Sequence, residues 1–204
     1  AVRGNEFWPS MHAAEALTLA GQGPEVIELL TPLLAIETDD QHRCGLAREL
    51  VRAGDRTQVT VLLEILEGDH PHGHVHACES LFKVNEIGNG VALRVALEPE
   101  NEMRLRLMAA AALGRWGHPQ AMALLRDSVE SEEVSHAQVA AWVLGRIGDA
   151  QDIELLKKNR SRFEDPLVTA FFNHALAALG DPDGLAALQE ILQGSDQTLQ
   201  VYAA

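Results

Sequence analysis

The chain has 204 residues, with 30 Asp or Glu against 16 Lys or Arg and a formal charge of −14. An apolar content of 47% excludes wholesale disorder, and an aromatic content of 4% beside many Ala and Leu favours packed helices over sheet. The acidic balance counts against general nucleic-acid binding and points to a basic protein partner, and no apolar run approaches the roughly 20 residues that span a bilayer.

The expected helices follow the chain in order. An opening helix covers residues 9–20, followed by pairs at 24–36 with 40–53, 56–68 with 74–87, and 90–97 with 101–115. Further pairs fall at 119–130 with 134–146 and 150–160 with 165–178, and a last pair at 184–192 continues from Asp196. Glycine closes the second helix of each pair, at Gly54, Gly88, Gly117, Gly148 and Gly180, with gaps of 34, 29, 31 and 32 residues. Asp or Asn follows several of these glycines, and Pro24, Pro119 and Pro182 suit a first helical turn, where the missing N–H costs little.

A period of this length marks stacked helical repeats, in which each unit buries its apolar face only against its neighbours. Ala109, Ala110, Ala112, Ala140, Ala141, Ala175 and Ala178 let second helices approach closely, while Leu113, Leu144 and Leu176 fill the space between layers. Trp142 reads as packing, and Phe163, Phe171 and Phe172 as filling the junction around residues 159–165. Cys44 and Cys78 are too few for a disulfide framework and read as buried free thiols.

Three runs carry a family likeness: RLRLMAAAALGRWGHPQAMALL from Arg104, HAQVAAWVLGRIGDAQDIELL from His136, and NHALAALGDPDGLAALQEIL from Asn173. They resemble HEAT repeats, especially the bacterial HEAT-like class named after phycocyanobilin lyases. The resemblance implies an all-α fold, a right-handed alpha-alpha superhelix of about five to six helix pairs. It also implies a scaffold for protein contacts, with a minority of relatives binding chromophore, DNA or metal. One HEAT-like domain over residues 1–204 is expected. The start at Ala1-Val2-Arg3, without methionine, suggests a piece of a longer array, and the cytoplasm is the favoured compartment.

The family motif commonly begins with Val-Arg twelve places before the exit glycine. This chain has His42-Arg43, His76-Ala77, Leu105-Arg106, His136-Ala137 and Val168-Thr169 there, with His12 one turn away in the opening helix. His42, His76 and His136, with His12, therefore form a candidate structural histidine ladder, since Leu105 and Val168 mark the position as a packing one. The densest cluster, Asp69 to Glu79, offers His72, His74, His76 and Glu79 as candidate metal ligands, because imidazole and carboxylate suit zinc, iron or nickel.

Deoxyhypusine hydroxylase, a HEAT-like di-iron enzyme, uses adjacent His-Glu pairs. This chain has only the looser His12…Glu15 and His76…Glu79, while Gly45 and Val139 stand three places after His42 and His136. A metal-dependent enzyme or a chromophore-lyase subunit is therefore the alternative reading. The favoured one is a non-enzymatic interaction module with no cofactor, binding a protein partner or another domain of a parent chain but no nucleic acid. Its candidate surface comprises Arg43, Arg104, Arg106 and Trp116.

Overall fold

The computed structural model describes residues 7–203, so the Ala1-Val2-Arg3 start lies outside the described residues. Every regular element among them is helical: α1 (Phe7–Leu19), α2 (Gly23–Leu34), α3 (Asp40–Ala53), α4 (Val59–Glu67), α5 (His74–Val84), α6 (Val91–Leu97) and α7 (Met103–Arg115), then α8 (Pro119–Val129), α9 (Val134–Ile147), α10 (Asp152–Arg160), α11 (Pro166–Ala178), α12 (Pro182–Gln193) and α13 (Gln197–Ala203). Short 3-10 turns at Arg56–Gln58 and Pro71–Gly73 lead into α4 and α5. Pairing follows the alternation read from the sequence, and the architecture is an all-α helical repeat.

The packing contacts divide the chain into two compact units, one ending at Trp116 and the other beginning at Gly117. In the first, the second helices α1, α3, α5 and α7 lie side by side in chain order, backed by α2, α4 and α6. In the other, α9, α11 and α13 lie side by side, backed by α8, α10 and α12. Local chemistry sets the helix starts. Asp39, Asp165 and Asp181 accept backbone N–H groups of His42, Leu167 and Gly184 in the first turns of α3, α11 and α12. Proline occupies the first turn of α2, α8, α11 and α12.

Helix exits correct the repeat register. Helix α5 ends at Val84, and its left-handed cap is Asn85 (φ 59°), not Gly88. Asp55 N–H reaches the Leu50 carbonyl at 3.0 Å, Glu86 N–H reaches Leu81 at 3.0 Å, and Asp181 N–H reaches Leu176 at 2.9 Å. This 6→1 hydrogen bond closes all three helices in the same way. With Asn85 in place of Gly88, the exits Gly54, Asn85, Gly117, Gly148 and Gly180 stand alternately 31 and 32 residues apart. The loop through Gly88 and Gly90 then takes residues that would otherwise start the next helix, and α6 is a short one of 7 residues.

In this register, the residue four places before each exit is Leu50, Leu81, Leu113, Leu144 and Leu176, and all five are buried. Each fully buried leucine contributes roughly 1.5–3 kcal/mol relative to exposure. Seven places before the exit stand Ala47, Cys78, Ala110, Ala141 and Asn173, small or slender side chains that are also buried and set the close approach of neighbouring second helices. Gly145 belongs to the same logic. A Cβ there would lie 2.6 Å from Cα of Ala175, so α9 and α11 meet backbone to backbone.

Candidate interaction face

The first unit presents α1, α3, α5 and α7 as adjacent helices, and its histidines are spent on contacts. The His42 ring stacks on Phe7 at 3.9 Å, and its Nδ1 lies 3.3 Å from Oε2 of Glu37. His76 stacks on Trp8 at 5.4 Å, and its Nδ1 lies 3.8 Å from Glu79. Burial lowers the His76 pKa. Burial, the largest single cause, pushes Glu79 upward, but Lys83, Arg48 and His76 together outweigh it and the carboxyl ends below its ordinary value. His12 is exposed, 3.8 Å from Glu15, and His136 is half-buried on α9.

The corrected register separates these histidines. His42 and His136 share a row with Gly73, Leu105 and Val168, whereas His76 shares one with His12, Gly45, Met108 and Phe171. Gly45 has its own reason: a Cβ there would come within 2.9 Å of the Phe7 ring. The cluster between Asp69 and Glu79 is likewise dispersed. His72 Nε2 reaches Asp39 at 3.0 Å, His74 Nε2 reaches the Gly68 carbonyl at 2.9 Å, and His76 turns to Trp8 and Glu79. Among the described residues, no three His, Cys, Asp or Glu side chains converge in a way that could hold a metal ion. Cys44 and Cys78 are free and buried.

The cations form the clearest pattern. Two places before the exits stand Arg52, Lys83, Arg115 and, in the other unit, Arg146. Arg52 pairs with Glu15 at 2.8 Å and Glu49 at 3.1 Å, and Lys83 pairs with Glu79 at 2.7 Å. Arg115 is exposed, with its guanidinium 4.4 Å from the Phe82 ring centroid. Of the residues singled out from sequence, Arg104 is exposed and Trp116 is 58% exposed. Arg43 is tied to Asp40 at 2.8 Å, and Arg106 donates to the Leu97 carbonyl. The row of Arg52, Lys83 and Arg115 was hidden because anchoring on Gly88 moved Lys83 out of line. The unbroken leucine row was the signal that could have restored it.

Charge is segregated by helix type. The seven second helices carry four carboxylates (Glu15, Asp40, Glu49 and Glu79) and eight Arg or Lys, whereas the rest of the sequence carries 26 carboxylates and eight Arg or Lys. A chain of net −14 thus has second helices that are net positive.

In the unit beginning at Gly117, α9, α11 and α13 border an open cleft of about 540 Å³. Trp142, Phe171, His174, Val201 and Tyr202 line it, with Gly145, Ala175 and Ala178 between them. Phe171, expected at the 159–165 junction, instead meets Tyr202 at 5.7 Å, while Phe172 is buried against Phe163. Trp142, read from the sequence as packing, is half-buried beneath the Arg146 guanidinium.

Residues 91–168 match the family model for HEAT repeats. That stretch of the chain is built of HEAT-like repeats. No curated protein matches its sequence. HEAT repeats point to a helical-repeat scaffold or protein-interaction module, and the corrected 31- and 32-residue spacing continues their pattern beyond both ends of the matched stretch. No helix among the described residues is long and apolar enough to cross a membrane.

Proposed function

We propose that this HEAT-like chain is a non-catalytic interaction module whose second helices receive an acidic protein partner. The observation that supports this reading is the charge segregation: eight Arg or Lys against four carboxylates on the second helices, in a chain that is otherwise strongly acidic. Opposite charge across an interface steers encounter and fixes register, and like charge elsewhere rejects wrong docking. The basic partner suggested by net charge alone would meet the first helices and loops instead. Exposed Arg104 and Arg115 and the Trp116 ring supply the cationic and aromatic groups enriched at protein interfaces.

Site-specific photocrosslinking tests the proposal. A photoreactive side chain at Arg115 or Arg104 should capture a partner, with yield falling as salt rises. The same group at Glu64, exposed on α4, should capture none. Equal capture from Glu64, or capture insensitive to salt, overturns the assignment of the second-helix face.

A further inference from the structure

In the unit ending at Trp116, the first helices α4 and α6 border an open groove of about 410 Å³. Val91, Ala92, Val95 and Ala96 stand at i, i+1, i+4 and i+5, so one stripe of α6 forms a wall. Leu66 of α4 and Leu105 of α7 extend the apolar surface, and the Val91 and Val95 side chains are exposed. Polar groups of the lining tie the walls in place. His74 Nε2 donates to the Gly68 carbonyl at 2.9 Å, and Asn101 Nδ2 donates to the Val95 carbonyl at 2.8 Å. Glu67 lines the groove as well, and no Arg or Lys does.

We propose that this groove binds a basic peptide segment, taking a bulky apolar side chain against Val91 and Val95 and flanking Lys or Arg beside Glu67. The volume of about 410 Å³ falls within the roughly 300–1,000 Å³ of pockets that seat specific ligands. Walls already fixed by hydrogen bonds need little further ordering on binding. Charge selects the occupant. Residues 67–69 and 98–102 hold five carboxylates, Glu67, Asp69, Glu98, Glu100 and Glu102, and no Arg or Lys. Both stretches reach the groove, one through Glu67 and Gly68 and the other through Asn101. All five carboxylates are exposed, and among the described residues none of them is in an ion pair. The neighbouring cations are directed elsewhere. Arg94 turns back to Gly90, where a Cβ would lie 2.9 Å from its Nη1, Arg106 donates to the Leu97 carbonyl, and Arg104 lies near His76. An acidic segment or a nucleic acid would meet like charge along the groove, whereas a basic segment meets opposite charge. This site goes beyond the second-helix reading and stands without it, since its partner carries the opposite charge.

The test uses the whole chain and a fluorescein-labelled peptide of pattern Lys-Arg-Leu-Leu-Arg-Lys, read by anisotropy at about 0.15 M salt, which screens general attraction to an acidic chain. Saturable binding is expected, weakened about tenfold or more by Glu67→Lys. Val95→Ser, which strips the apolar wall at an exposed position, should weaken it about fivefold or more. Glu28→Lys makes the same charge change at an exposed position of α2, outside the groove, and should leave affinity within about twofold. Thermal melts of the three variants confirm that each remains folded. Absence of saturable binding overturns the proposal, as does binding that ignores either groove substitution or falls equally with Glu28→Lys. So does equal or tighter binding of the peptide Asp-Glu-Leu-Leu-Glu-Asp or of a labelled single-stranded oligonucleotide, and so does self-association of the chain through the groove. Glu64 lies outside the lining, so its photocrosslinking control is kept apart from this site. Crosslinking at Arg104 and Arg115 reads the second-helix face and the peptide reads the groove, so either reading can fail while the other stands.

Discussion

The Trp8 indole lies on the His76 imidazole, ring centroids 5.4 Å apart and planes inclined by 20°. Phe7 stacks on His42 from the same first turn of α1, with its ring edge in the space that a Cβ at Gly45 would occupy. One helix thus covers a histidine from each of the next two repeats. Unlike ligands, these imidazoles present their faces to carbon.

A pH dependence follows from His76. Its pKa is lowered, first by burial and further by Arg104, Arg48 and Lys83, with Glu79 opposing. The unfolded chain therefore binds the proton first as pH falls. The stability associated with neutral His76 is fully present above the ordinary value of 6.5 and is lost as pH drops from there through the lower folded value. Trp8→Ala should expose His76 and raise its pKa towards the ordinary value, flattening that slope. It should also remove about 0.5–1.5 kcal/mol of ring–ring contact beyond the area term. NMR titration of His76, with urea unfolding at several pH values, checks both; an unchanged His76 titration in Trp8→Ala contradicts the account.

Asn85 closes α5 with φ 59°, where a side chain is strained and glycine is not. Asn85→Gly should stabilise the chain by about 0.5–1 kcal/mol, since asparagine pays part of the left-handed penalty. The same substitution at Lys83, two places earlier inside the helix, should cost about 1 kcal/mol. Thermal unfolding of the two variants side by side distinguishes a cap from a helical position. A loss of stability in Asn85→Gly would return the exit to Gly88.

Glu49 is fully buried and accepts from Arg48 Nε at 2.7 Å and Arg52 Nη1 at 3.1 Å. Arg48 is itself only 6% exposed. Glu49→Ala leaves that guanidinium buried without its closest counter-charge and should cost about 3–5 kcal/mol. Replacing both, as Arg48→Met with Glu49→Leu, should recover most of the loss, because two apolar side chains need no pairing. A double variant no more stable than Glu49→Ala refutes the pairing argument.

Burial pushes the Cys44 thiol up to about 12 and raises that of Cys78 as well. Both should resist a thiol reagent in the folded chain at neutral pH and react only as fast as it unfolds. Labelling followed in native buffer and in urea reads this directly, and rapid modification of either thiol in native buffer is the contrary result.

Sequence alone determined the helix pairs, their starts and most of their exits, because those depend on groups close along the chain. Asp39, Asp165, Asp181 and the first-turn prolines act within three residues of the helix they begin. Gly54, Gly117 and Gly180 act on the helix just before them. The false step at Gly88 was also local: asparagine can hold the left-handed turn, and three nearby residues, Asn85, Gly88 and Gly90, all take positive φ. Choosing among them required the neighbouring helices, against which Leu81 and not Val84 completes the buried row.

Only tertiary packing decided what the chemically distinctive side chains do. The His72, His74 and His76 run lies close in sequence, but each ring is turned to a different neighbour by the fold. Trp142, Phe171 and Tyr202 lie far apart in sequence and come together because α9, α11 and α13 stack. Net charge is a sum and carries no direction. The pairing of helices sorts that charge into first helices and loops that are acidic in sum and second helices that are positive in sum.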